Sequence, residues 1–231
     1  MKKFFFVMIL IIGLQACKSN VVADFELTVL DEIFYYLIER MEATHHLQPP
    51  PPLPKLEDTE LDSAKYQIFL NEYQEFIDKF EEIQNKVQNN ETTIVIAVLD
   101  TLITCYKFHE KIKPKLQLIE HGYNEALNTM ADSSIVSRSL DLSKIKNTKN
   151  FTLRYYSEFP EDMRIWEREK YEFLFSGILV ISRIYFDTSN KFGLIYSSFV
   201  QEPLWGHGAI VCIRKIADRW IIEEVIELWG V

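Results

Sequence analysis

Five histidines, a carboxylate cluster near the C terminus and three late tryptophans are the side chains of this 231-residue chain with the most chemistry to offer. The histidines are His45, His46, His109, His121 and His207. A zinc site needs three or four such ligands brought together. No paired motif or helical i,i+4 pair gathers these, so no metal is expected. His207 stands apart because Gly206 and Gly208 flank it and would leave its imidazole bare at a turn tip, which makes it a candidate for catalysis. Glu223, Glu224 and Glu227 lie close together. Side chains alternate along a strand, so Glu223 and Glu227 share one face and Glu224 takes the other with Ile222 and Ile226. Glu224 then reads either as a buried acid available for proton transfer or as an edge carboxylate paired with Arg183 or Arg214. Trp205, Trp220 and Trp229 read either as the lining of a sugar- or lipid-binding groove or as core aromatics. No G-x-S-x-G, P-loop, H-E-x-x-H, C-x-x-C or dinucleotide fingerprint is present, so the common hydrolases and nucleotide enzymes are disfavoured and no cofactor is expected.

These residues must be positioned by elements that the apolar pattern outlines. Leu30, Ile33, Phe34, Leu37, Ile38 and Met41 recur with the spacing of one helix face, and Thr28 with Asp31 reads as its capping box. Gln48 to Pro54, "QPPPPLP", reads as an extended polyproline II spacer. Tyr66, Phe69, Tyr73, Phe76, Phe80, Ile83 and Val87 then step by three and four, with Thr59 and Asp62 as the start signal. The bulk of these rings points to a helix laid on the protein's own sheet, with a partner helix as the alternative. "TTIVIAVL", residues 92–99, is a continuous apolar run and reads as a buried strand. Residues 107–150 are mixed, with a short helix after Pro114 and a polar loop. From Phe151 onward the pattern is β: residues 151–157, 177–186, 192–200, 209–215 and 220–226, joined by "DTSNK", the Gly-rich "LWGHG" turn and "IAD". Short connections make this an antiparallel meander. Strands in a block after helices predict an α+β fold, with N-terminal helices packed on a C-terminal antiparallel sheet.

The N terminus carries an address. Lys2 and Lys3 precede ten apolar residues, Phe4 to Gly13, a run too short to cross a bilayer as a helix. Leu14-Gln15-Ala16-Cys17 closely resembles the lipobox of bacterial lipoproteins. The resemblance implies a diacylglyceryl group on the Cys17 thiol, cleavage before Cys17 and acylation of the new amino terminus. Two or three acyl chains give a stable anchor, where one alone is reversible. Lys18-Ser19-Asn20 lack the aspartate of inner-membrane retention and the acidic residues of surface export, so the expected place is the outer membrane, facing the periplasm. "FSGILVISRIYFD", "NKFGLIYSSF" and "RWIIEEVIELWGV" are similar to the C-terminal region of uncharacterised Bacteroidetes lipoproteins, a family that implies location and fold but no activity. Trp205 stands where those chains carry a turn cysteine, so no redox or disulfide role is expected there.

Removing residues 1–16 leaves 215 residues and lowers the cations from 25 to 23 against 34 acids, so the net charge falls from −9 to −11. Such a chain has no electrostatic reason to bind nucleic acid. Membrane attachment is expected through the lipid anchor alone, with an envelope protein or a glycan as the partner. Cys105 and Cys212 sit in apolar surroundings, where a disulfide is allowed and buried free thiols are the commoner state. The organisation expected is a signal peptide at 1–16, an anchor, first helix and spacer at 17–56, and a globular domain at 57–231. The function expected is a lipid-anchored binding or structural module. The alternative is an envelope hydrolase using Glu224 and His207.

Overall fold

Ile94-Val-Ile-Ala-Val98 is buried on both faces, as its unbroken apolar run requires. This strand is the inner strand around which a computed structural model of the protein is organised. The structure describes residues 25–43, 63–89, 91–116, 121–146 and 151–231. The signal segment, Cys17, the polyproline run, His45, His46 and the Thr59–Asp62 signal lie outside them. In chain order the elements are α1 (25–40) and α2 (Ser63–Gln88), β1 (Ile94–Val98) and β2 (Thr101–Leu102), then α3 (His109–Leu116) and α4 (His121–Met130). They continue with β3 (Arg138–Ser139), β4 (Phe151–Tyr155), β5 (Leu174–Ile181), β6 (Tyr185–Phe186), β7 (Phe192–Glu202), β8 (Trp205–Ile216) and β9 (Arg219–Gly230). Short 3-10 turns precede α3, follow β3 and fill the stretch between β4 and β5.

The fold is α+β. The main sheet runs β4-β1-β5-β7-β8-β9, with β6 paired to β7, and β2 pairs β3 apart from it. From β5 to β9 the sheet is the expected antiparallel meander. Its other half differs: β1 lies parallel to both β4 and β5. A parallel neighbour must come from a distant crossover, so no hairpin signal marks it. The turn between β7 and β8 is at Pro203-Leu204, and the expected turn residues Trp205 to Gly208 are already in strand β8.

Helix α1 covers one face of the sheet. Leu30, Ile33, Phe34, Leu37, Ile38 and Met41 are completely buried there with Ile96, Val98, Phe199, Val211 and Ile213. Thr28 lies within the helix and so does not open it. Helices α3 and α4 cover the opposite face above Leu194, Ile210 and Cys212; Pro114 falls inside α3, and the short helix expected after it is α4. Cys105 and Cys212 are free and buried in that second core, where burial pushes each thiol up to about 12 and leaves it protonated and inert.

Helix α2 departs from expectation. Among its described residues no side chain is buried, Phe76 is 55% exposed, and only Val87 reaches the core beneath α1. Its aromatic stripe therefore does not dock on the sheet, contrary to what the bulk of Phe69, Phe76 and Phe80 predicts. The rings instead contact one another along the helix, with Phe69 6.4 Å from both Tyr66 and Tyr73.

Glu26 fastens α1 to the sheet. Its carboxylate is 1% exposed and accepts the Arg183 Nε–H at 2.9 Å and the Ile184 backbone N–H at 2.5 Å. Arg138 Nε stands 3.4 Å away, and Arg183 also donates to the Val136 carbonyl at 2.7 Å. Arg183 is thus engaged by Glu26 and not by Glu224. The rest of "SRIYFD" is equally occupied. Ser182 Oγ accepts the Tyr196 N–H, Tyr185 Oη accepts the Cys105 N–H, and Asp187 accepts N–H groups of its own loop.

The contrast between α1 and α2 is measurable. Phe34→Ala should cost about 3–5 kcal/mol by transfer loss and cavity formation, whereas Phe76→Ala should stay within about 0.5 kcal/mol, as an exposed position does. Urea melts of the two variants should separate widely. Glu26→Ala should cost about 3–5 kcal/mol, because two guanidinium groups lose their buried counter-charge. The same melts, repeated with Glu26→Ala and Arg183→Ala together, should show strong non-additivity.

Candidate functional site

The C-terminal end of α1 meets the β7–β8 turn around a cavity of about 450 Å³. Its chemistry comes from Arg40, Glu42, Trp205, His207, Glu227 and Trp229. Arg40 closes α1, and Glu42 follows in a left-handed conformation with φ 49°, which turns the chain away as helix C-terminal residues often do. Trp205 opens β8 and is 58% exposed. His207 is in the strand, half-buried, opposite Phe199 on one side and Gly230 on the other, rather than bare at a turn tip. Gly208 pairs with Trp229, and a Cβ there would lie 2.2 Å from the indole Nε1, so only glycine lets the ring lie across the strand. The indole N–H of Trp229 donates to Tyr196 Oη at 3.2 Å, which fixes the ring.

Two of the three tryptophans singled out in the sequence therefore share one cavity with His207. Trp220 does not: it is 5% exposed and packs edge-on to Phe186, 5.4 Å away, in the core under the start of α1. Glu224 is also elsewhere. A bulge between Cys212 and Ile213 breaks the alternation assumed for β9, so Glu224 sits opposite Cys212, exposed beside Lys115 of α3. Five β8 positions, about 17 Å, separate His207 from Cys212, the strand partner of Glu224, and the two side chains lie on opposite faces of the sheet. They form no acid–base pair. Glu227 and Glu42 are the side-chain carboxylates that share the cavity with His207.

Sequence reasoning missed Arg40 and Glu42, which reach the cavity only because α1 ends there. It also missed the partners of Glu223. That carboxylate accepts the Tyr123 hydroxyl at 2.6 Å and the Arg214 guanidinium at 3.1 Å. Burial and the bond to Glu223 push the Tyr123 phenol upward, so it remains a donor at any physiological pH.

The cavity offers an exposed flat ring, a cation, two carboxylates and an imidazole. That set suits a polar ligand with one apolar face, of the size pockets of about 300–1,000 Å³ usually take. Among the described residues no group of three or more His, Cys, Asp or Glu could hold a metal ion, and no helix is long and apolar enough to cross a membrane. Comparison of the chain with protein-family models, with curated proteins and with solved structures finds no match.

Proposed function

We propose that the chain is a lipid-anchored protein of the cell envelope, held through Cys17 in the outer membrane and facing the periplasm, that binds a glycan in the cavity at the end of α1. The anchor rests on the charged, apolar and Leu-Gln-Ala-Cys segments in succession. The binding activity rests on one observation: Trp205 is 58% exposed on the wall of a cavity that Arg40, Glu42, His207 and Glu227 also line. An exposed indole is a platform for the apolar face of a sugar ring. Arg40, Glu42, Glu227 and His207 supply donors and acceptors for its hydroxyls.

A second reading has one observation in its favour. His207 and Glu227 face the same cavity, as a hydrolase using an imidazole and a carboxylate requires. Glu227 takes the place expected of Glu224 in that reading.

Growth with radiolabelled palmitate should label the wild-type chain and leave Cys17→Ala unlabelled. A wild-type chain that fractionates as soluble and unlabelled refutes the anchor. For the cavity, titration with muropeptides and with outer-membrane core oligosaccharides should quench tryptophan fluorescence. Trp205→Ala should weaken that binding at least about tenfold, the scale of one well-packed aromatic anchor. Equal affinity for wild type and Trp205→Ala refutes the site. Chromatography of the recovered ligand separates the two readings: intact ligand removes the hydrolase, and cleavage lost in His207→Ala supports it.

A further inference from the structure

The opposite end of α1 carries a larger cavity, about 760 Å³, walled by Phe25, Lys191, Arg214, Lys215, Ala217 and Asp218. It lies between two hairpin tips, the Asp187–Lys191 loop before β7 and the Ala217-Asp218 turn between β8 and β9. The Lys215 N–H donates to the Lys191 carbonyl at 2.8 Å, which ties the tips together and sets the cations side by side. Arg214 lies over the Phe192 ring, 5.2 Å from its centroid, while it also holds Glu223. The acid on the wall, Asp218, is 98% exposed and 3.3 Å from Lys215 Nζ. Arg214 is matched by Glu223, so Lys191, Arg214 and Lys215 against Asp218 and Glu223 leave a local charge of +1 on a chain whose net charge is −9.

Both tips are stiff. Asp187, 6% exposed, accepts the N–H groups of Ser189, Lys191 and Phe192. Burial alone would raise its carboxyl, but these bonds and the Ser189 hydroxyl outweigh it and hold the group below the usual carboxylate range. Ala217 and Asp218 have φ of 47° and 66°, the two positive angles of a tight hairpin turn that usually carries Asn-Gly. Beside that turn Ile216 is 48% exposed, with Arg219 opposite it.

The geometry points to this end as a second membrane contact, in which Lys191 and Lys215 receive the phosphates of lipid headgroups and Ile216 enters the headgroup layer. The inference rests on the lipid-anchor reading. Phe25, where the described chain begins, is itself on the cavity wall. Eight residue steps separate it from Cys17, a reach of at most about 28 Å. Strand β8 alone spans about 37 Å from Trp205 to Ile216. A chain tethered at Cys17 can therefore lay the cationic tips on the bilayer, while the Trp205 cavity stands away from it. Phosphate on a free solute would offer the same chemistry, but nothing else would place it at the point where the tether arrives.

The test uses the full lipidated protein reconstituted into vesicles of phosphatidylethanolamine with or without one quarter phosphatidylglycerol. A bimane probe is placed at Ile216→Cys or, as a control, at Leu204→Cys; the two native thiols are buried. With phosphatidylglycerol, the probe at 216 should shift to the blue and be quenched by spin-labelled headgroups, and the probe at 204 should remain in water. Lys191→Gln with Lys215→Gln should reduce the docked-to-undocked ratio about 25-fold, at about fivefold per cation, and raised salt should act in the same direction. A probe at 216 that stays in water on floating vesicles overturns the inference and leaves the anchor standing. Protein that fails to float at all refutes the anchor, and the inference falls with it. Calorimetry with glycerol 3-phosphate separates the phosphate sources. Absence of binding at millimolar concentration is expected, and tight binding there overturns the membrane contact in favour of a soluble ligand.

Discussion

A buried carboxylate decides where helix α1 sits, and both ends of the molecule depend on that helix. Glu26 is almost wholly withdrawn from water, so its charge must be met by protein donors. Arg183, Arg138 and the Ile184 N–H meet it. The apolar stripe of α1 fixes its position along the sheet less sharply than a charge does, because burial of apolar surface is not directional. An ion pair that also accepts a backbone N–H is directional, and a slide of one turn would leave charges buried and unmatched. The stripe supplies most of the stability, and the clamp selects one register. In that register Phe25 joins the cationic tips and Arg40 reaches the Trp205 cavity.

What the sequence makes legible follows the range of the interaction involved. The face of α1 is a local pattern, and each residue assigned to it is buried. Strand β1 and the hairpins from β5 onward are local in the same sense. The parallel placement of β1 between β4 and β5 joins residues 94–98 to 151–155 and 174–179, and no signal short of the folded core specifies it. The stripe of α2 shows the converse. Its spacing is regular, yet spacing records only that an apolar face exists and not what lies against it. The cavity is half legible. Trp205, His207 and Trp229 stand out by type and by the flanking glycines. Trp220, nine residues before Trp229 on the same strand, belongs to the core, so residue type alone does not separate a wall from a core. Arg40 and Glu42 arrive from another element altogether.

The distribution of charge matters more here than its sum. A net charge of −9 implies repulsion from an anionic surface when it is spread over the whole chain. Two hairpin tips nevertheless gather Lys191, Arg214 and Lys215 within one wall, because backbone pairing sets residues far apart in sequence side by side. Screening confines such a field to about 8–10 Å at physiological salt, so a local cluster is felt by what touches it and not by the opposite end.

The carboxylates of β9 fit the same logic. β9 is an edge strand, the kind of surface to which other strands add. Lys115 and Lys111 of α3 donate to its Glu227 and Leu228 carbonyls and so occupy part of that edge. Glu223, Glu224 and Glu227 are exposed along it, and register shifts at Gly208/Ala209 and Cys212/Ile213 interrupt its pairing with β8. Charge and bulges are two of the devices that keep an edge from pairing with another chain. The bulge beside Cys212 also turns Glu223 toward Tyr123 and Arg214, which ties the edge to α4 and to the cationic tip. The shift beside Gly208 sets Trp229 across that glycine and leaves Glu227 opposite Ala209, on the cavity wall. The irregularities that protect the edge are therefore also the ones that aim its side chains, one toward Tyr123 and Arg214 and the other into the cavity, and a straight β9 would lose both.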